Sequence, residues 1–223
     1  MKALIFDMDG TLVDSEKVHR KAFLLGLDRL GVDYDYDKVY KALVASEGIP
    51  DDVFVRKLKE EFGFDFDPLE FIALKREIYQ SLVGSDVEAF SGAVDLVKSL
   101  KGKYKLALAT SSSEEDLEKV LKKIGLFDIF DLKVSGAKLE NPKPAPDIFL
   151  ITAEKLGVNI KDCMVFEDSA NGLKAAERSG AKVLAYDYKK DGSDYLKNYY
   201  TIDDYRKIDS KKLENIFESL EEK

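Results

Sequence analysis

LALATSSSEEDLEKVLKKIG, residues 106–125, is a strand that feeds a helix. Residues 106–109 form an apolar run of the length and position of a buried strand. A polar turn follows at 110–113, where Ser112 and Glu115 have capping-box spacing. Leu117, Val120, Leu121 and Ile124 then share one helical face, and Gly125 ends the helix. The same pattern recurs on both sides. Apolar runs at 3–6, 164–166 and 183–185, with a weaker one at 132–134, read as further strands. PDIFLITAEKLG (146–157) opens with Pro146 at a first helical position and stops at Gly157. SANGLKAAERSG (169–180) opens on a Ser169 cap and stops at Gly180. Strands alternating with helices of this length predict βαβ units, an α/β fold with a Rossmann-like parallel sheet.

Residues 15–86 have a different rhythm. Apolar residues recur at helical spacing (Ala22, Leu25, Leu30; Val53, Val55, Leu58, Phe62; Phe71, Leu74, Ile78, Leu82) with no strand-like run between them. Gly31, Pro50, Gly63 and Pro68 divide the stretch into about four helices. The expected organisation is an α/β core of residues 1–14 and 87–223, with an α-helical domain of residues 15–86 inserted after the first strand. Such an insert would lie over the carboxyl end of the sheet, where open α/β sheets place their sites. SKKLENIFESLEEK (210–223) reads as a final amphipathic helix.

Composition narrows the chemistry. The 223 residues are 45% hydrophobic and 35% charged, which is globular rather than disordered. Forty-three Asp and Glu against 35 Lys and Arg give a net charge of -8, and argue against a nucleic-acid partner. Cys163 is the single cysteine, so no intramolecular disulfide forms, and one histidine leaves no ordinary zinc site. A metal must therefore be held by oxygen. The apolar run at the N-terminus is too short for a signal peptide, and no stretch approaches ~18 apolar residues. The expectation is a soluble, cytoplasmic protein without a membrane partner, and a monomer by default.

Four polar clusters follow four of the strands, and a parallel sheet would turn all of them toward one crevice. In DMDGT (7–11), Asp7 and Asp9 are two apart at a strand end and lean to one side, while Gly10 permits a tight turn. Two carboxylates this close resist ionising together, which suits a nucleophile beside a general acid/base; alone, the pair also reads as an acidic turn. In TSSS (110–113), hydroxyls and free amides at a helix start make an anion site, or simply a cap at Ser112 or Ser113. Pro142, Pro144 and Pro146 stiffen the loop around Lys143, which either neutralises phosphate oxygens or faces solvent. Glu167 and Asp168 offer two hard oxygen ligands suited to Mg²⁺, or an acidic helix start. Together these groups match phosphoryl transfer, where catalysis is mostly positioning and charge neutralisation.

DMDGT, LALATSS, KPAPDIF and FEDSANG, in that order across nearly the whole chain, resemble the motifs of a haloacid-dehalogenase-superfamily phosphatase of the β-phosphoglucomutase-like subgroup. The helical insert resembles that family's cap. The resemblance implies that Asp7 is a nucleophile that becomes an aspartyl-phosphate and that Asp9 is the general acid and then the base. It implies phosphate binding by Thr110, the Ser111 backbone amide and Lys143. It implies Mg²⁺ as cofactor, held by Asp7, the Asp9 backbone carbonyl, Asp168 and Glu167. A carboxylate at Asp9 favours phosphate chemistry over dehalogenation. His19 and Lys75 match substrate-side positions of the cap. Mutases of the subgroup grip a distal phosphate with an arginine in the first cap loop. The matching stretch here, ASEGIPDDVF (45–54), has no basic residue and carries Asp51 and Asp52. The resemblance therefore implies hydrolysis of a small phosphorylated metabolite, such as a sugar phosphate, with a β-phosphoglucomutase-type isomerase as the alternative.

Overall fold

The computed structural model describes residues 1–45, 51–190 and 192–220, with the side chain of Asp52 left out. The chain divides into two compact units, Met1–Asp14 with Glu88–Lys223, and Ser15–Val87.

The first unit is built on a parallel sheet. Its strands are β1 (Ala3–Phe6), β2 (Lys105–Thr110), β3 (Leu132–Ser135), β4 (Cys163–Glu167), β5 (Lys182–Tyr186) and β6 (Tyr200–Ile202), in the order β3-β2-β1-β4-β5-β6. All the pairings are parallel. Every residue of β1 and β4 is buried, as strands covered on both faces require. Ala3 and Ile5 face one layer, where they pack with Ala107, Ala109, Phe149, Ala153 and Leu173. Phe6 points the other way and stacks on Phe166 at 4.2 Å. Phe6 is level with both Leu108 and Phe166 in the register. The chain runs from β1 to β2 and β3 on one side, then crosses to β4 on the other. The carboxyl ends of β1, β2 and β4 thus open together at the point where strand order reverses, the usual crevice of such sheets.

Two of the remaining elements of this unit were not legible as periodic runs: the short helix Ala93–Leu100 before β2, and β6, which carries the exposed Tyr200 and Thr201. The weaker run at 132–134 is the strand β3, which is only half-buried. The C-terminal helix covers Ser210–Ser219, capped by the Asp209 carboxylate.

The second unit has four helices among the described residues: α1 (Glu16–Arg29), α2 (Tyr36–Ala45), α3 (Asp51–Phe62) and α4 (Pro68–Asp86). Asp67 caps α4 by accepting from the amides of Leu69 and Glu70, and Pro68 takes the first turn. An aromatic cluster fills this core, with Phe23 edge-on to Phe71 at 4.8 Å and Phe66 stacked on it at 4.5 Å. The buried face of α4 runs through Phe71, Lys75, Ile78, Tyr79 and Val83, not through Leu74 and Leu82 as their spacing suggests. Val53 and Leu30, which share the helical spacing, are exposed. No helix among the described residues is long and apolar enough to cross a membrane.

Candidate active site

Asp7 follows β1 directly, and its amide donates to the carbonyl of Phe166 at 3.0 Å, so the β1–β4 pairing reaches one residue past the strand. The loop then folds back: the amides of Thr11, Leu12 and Val13 all donate to the Met8 carbonyl. Gly10 is required twice over. Its φ is +79°, and a Cβ there would lie 2.2 Å from Oδ2 of Asp168.

Lys143 enters from the proline-stiffened loop. Its Nζ donates to Asp7 Oδ1 at 2.6 Å, to Glu167 Oε1 at 2.8 Å and to the Ala109 carbonyl at 3.4 Å. The lysine side chain is 8% exposed and lies over the Phe149 ring, so it is not the solvent-facing residue its loop allowed. Glu167 completes this clamp. Its Oε2 accepts from the amide and hydroxyl of Ser169 at 2.8 and 3.1 Å, which ties it to the start of the helix Ala170–Ser179. Both oxygens of Glu167 are thus engaged. Glu167 is a partner of Lys143, and its Oε1 keeps a further lone pair of the kind a metal would use. Asp168 takes a separate position, accepting from the Thr11 hydroxyl at 2.7 Å.

Asp9 is held from the β2 side. Its Oδ2 accepts from the hydroxyls of Ser112 at 2.6 Å and Thr110 at 3.3 Å. Its Oδ1 is buried without a hydrogen-bond partner. The expected capping box also shifts by one residue: Ser113 caps the helix Glu114–Lys123 through the Asp116 amide, which frees Ser112 for Asp9. Ser111 is exposed beside them.

The electrostatics are those of an excess of buried acid. Burial lifts the Asp7 carboxyl from 3.8 to about 8; Lys143 opposes the rise, and Glu167 and Asp9 add to it. Burial likewise raises Asp168 well above the carboxylate range, with repulsion from Glu167 and Asp7, and the Thr11 hydrogen bond works against it. Burial alone would depress Lys143, but Asp7 and Glu167 outweigh it and hold the ammonium charged. One lysine cannot balance Asp7, Glu167 and Asp168. No three Asp, Glu, His or Cys side chains draw onto one point among the described residues. A divalent cation that keeps most of its waters needs only one or two carboxylates, and the uncompensated oxygens of Asp7 and Asp168 fit Mg²⁺ in number and type.

His19 and Lys75 belong to the helical unit. His19 stacks on Tyr79 at 4.1 Å. Lys75 is 5% exposed and donates to Asp51, so it is neither a solvated lysine nor, in this state, a free cation for substrate. Residues 46–50 of the stretch that bears on hydrolase against mutase lie outside the described residues, as does the Asp52 side chain. Spacing singled out neither Thr11 nor the Asp9 contact of Ser112, although both flank expected site residues.

The model of the haloacid dehalogenase-like hydrolase family matches residues 1–180. The fructose-1-phosphate phosphatase YqaB of Escherichia coli K12 is 37% identical over 177 residues, 79% of this chain and 92% of that protein. A phosphorylated carbohydrates phosphatase of Thermotoga maritima is 31% identical over 182 residues, 81% of this chain and 82% of the relative. A crystal structure from Thermotoga maritima, provisionally named a β-phosphoglucomutase, has a TM-score of 0.79 at 26% identity and covers 100% of this chain and 99% of its own. With the family model spanning the sheet through β4 and every residue of the crevice described above, the chain belongs to the haloacid dehalogenase-like hydrolases.

Proposed function

We propose that this protein is a Mg²⁺-dependent phosphatase that hydrolyses a small phosphorylated metabolite, a sugar phosphate being the favoured class, through an aspartyl-phosphate on Asp7. The observation that carries the reading is the 2.6 Å pair between Asp7 Oδ1 and Lys143 at the end of β1, with Asp9 two residues further on. Lys143 orients one oxygen of Asp7, leaving the other to attack phosphorus. As the P–O bond of the ester breaks, Asp9 gives its proton to the leaving oxygen. Asp9 then takes a proton from the water that attacks the acyl phosphate, which releases inorganic phosphate and restores the Asp7 carboxylate. Thr110, the Ser111 amide and Lys143 bind the phosphoryl oxygens. Mg²⁺, when bound by Asp7 and Asp168 with the Asp9 carbonyl, supplies the positive charge that lets a carboxylate and a phosphate dianion approach. The helical unit serves as the cap, with His19 and Lys75 as its substrate contacts.

The names of two relatives favour a sugar phosphate. Hydrolysis is preferred to isomerisation because residues 45–54 contain no Lys or Arg to grip a second phosphate. The test is phosphate release from a panel of phosphomonoesters with Mg²⁺ and with EDTA, beside Asp7→Asn. Release that needs Mg²⁺ and is lost in the variant supports the reading. Conversion of β-glucose 1-phosphate to the 6-phosphate without release would replace it with the isomerase.

A further inference from the structure

The family model stops at residue 180, yet a later segment reaches the catalytic loop. Strand β6 extends the sheet beside β5, and the Asp187 amide donates to the Ile202 carbonyl at 2.8 Å. The turn that follows is locked by Asp204, whose carboxylate accepts from Nε and Nη2 of Arg206 at 2.9 and 2.7 Å. Gly92 makes room for it, since a Cβ there would lie 2.9 Å from the Arg206 backbone nitrogen. The turn drives Tyr205 inward to 1% exposure, with its ring 4.5 Å from Tyr186 and 6.5 Å from Phe166. The Tyr205 hydroxyl then donates to the Thr11 carbonyl at 2.9 Å. Thr11 is itself wholly buried, and its hydroxyl holds Asp168.

We infer that Tyr205 is a positioning residue for the cation site: by fixing the Thr11 backbone it aims the Thr11 hydroxyl at Asp168 and sets that carboxylate for Mg²⁺. This rests on the assignment of Asp168 as a metal anchor made above. A tyrosine that merely fills the core would serve as well without its hydroxyl. The relay needs the hydroxyl, because an unheld Thr11 carbonyl lets the loop of residues 8–13 shift and the Thr11–Asp168 bond lengthen.

The test measures Mg²⁺ binding to the full chain by calorimetry with MgCl₂ alone, and the Mg²⁺-induced rise in Tm, for wild type, Tyr205→Phe, Thr11→Val, their double variant and Asp168→Asn. Outer partners of metal ligands typically carry about 10–100-fold in affinity, so Tyr205→Phe, one step further out, is expected to weaken Mg²⁺ by about 3–10-fold while the metal-free fold survives. In the Thr11→Val background, where the link to Asp168 is already cut, Tyr205→Phe should leave the Mg²⁺ Kd unchanged. Asp168→Asn should abolish binding. Loss in Asp168→Asn with a wild-type Kd in Tyr205→Phe would overturn the relay alone. Full additivity of the two variants would overturn it too, by making the hydroxyl a general stabiliser. Wild-type binding in Asp168→Asn would overturn the metal assignment and the relay together.

Discussion

Replacing Gly172 by alanine places a methyl group 1.7 Å from Oε1 of Glu167 and 2.0 Å from its Cδ. In an ordinary helix position the change stabilises by about 1 kcal/mol, because alanine is the better helix former. Here the carboxylate must move by about 1.5 Å to restore van der Waals distance. It has nowhere free to go: Glu167 is 1% exposed, and its bonds to Lys143 and the Ser169 amide are both 2.8 Å long. Hydrogen bonds to charged groups contribute about 1.5–3 kcal/mol each, so losing two of them outweighs the helical gain. The expected net cost is about 2–5 kcal/mol, or a Tm lowered by about 4–20 °C for a chain of this size. Lys143 loses one of its two carboxylate partners and with it the direction that holds Asp7, so kcat should fall by about tenfold or more. Thermal melts and steady-state phosphatase assays read both effects. Shortening the acid in the double variant Gly172→Ala/Glu167→Asp gives the methyl room and should recover part of the stability. A Gly172→Ala protein that melts at or above the wild-type temperature with unchanged kcat would refute the clamp.

The raised Asp7 carboxyl makes a pH prediction. Because its folded value of about 8 lies above the ordinary 3.8, the folded metal-free protein binds a proton that the unfolded chain does not. Wild-type stability in EDTA should thus fall as pH rises from about 4 to about 8, by up to about 1.4 kcal/mol per unit from this group. Asp7→Asn removes that slope, so its Tm should match wild type near pH 4 and exceed it at pH 8; a pH-independent difference would contradict the assignment. Ser112→Ala removes the 2.6 Å bond that orients Asp9. It should lower kcat by about tenfold with little change in KM, and an unaltered kcat would return Ser112 to the role of a simple turn residue.

Much of the fold was legible because its signals are local. A buried strand covered on both faces shows as an apolar run, as at residues 3–6 and 106–109, and a helix start shows as Ser169 or Pro146. Neither depends on distant parts of the chain. Strand β6 and the helix Ala93–Leu100 were missed for the same reason: the first is an edge strand with an exposed face, and the second is only two turns long.

For the site, spacing along the chain named Asp7, Asp9, Lys143 and Asp168 and placed each past a strand or in a stiffened loop. It did not decide where their side chains point. Ser112 reaches Asp9 instead of capping its helix because β2 lies level with β1 in the register, a relation between residues about 100 apart. Glu167 turns to Lys143 because Gly172, in the first turn of the next helix, leaves the space for it. Lys75 is buried because α4 presents a different face than its leucines suggest. Tyr205 meets Thr11 across 194 residues of sequence. Local periodicity and capping are encoded in neighbouring residues, whereas hydrogen bonds between strand ends exist only once the sheet has set their distance, and that is why candidate residues could be named early and their geometry only in three dimensions.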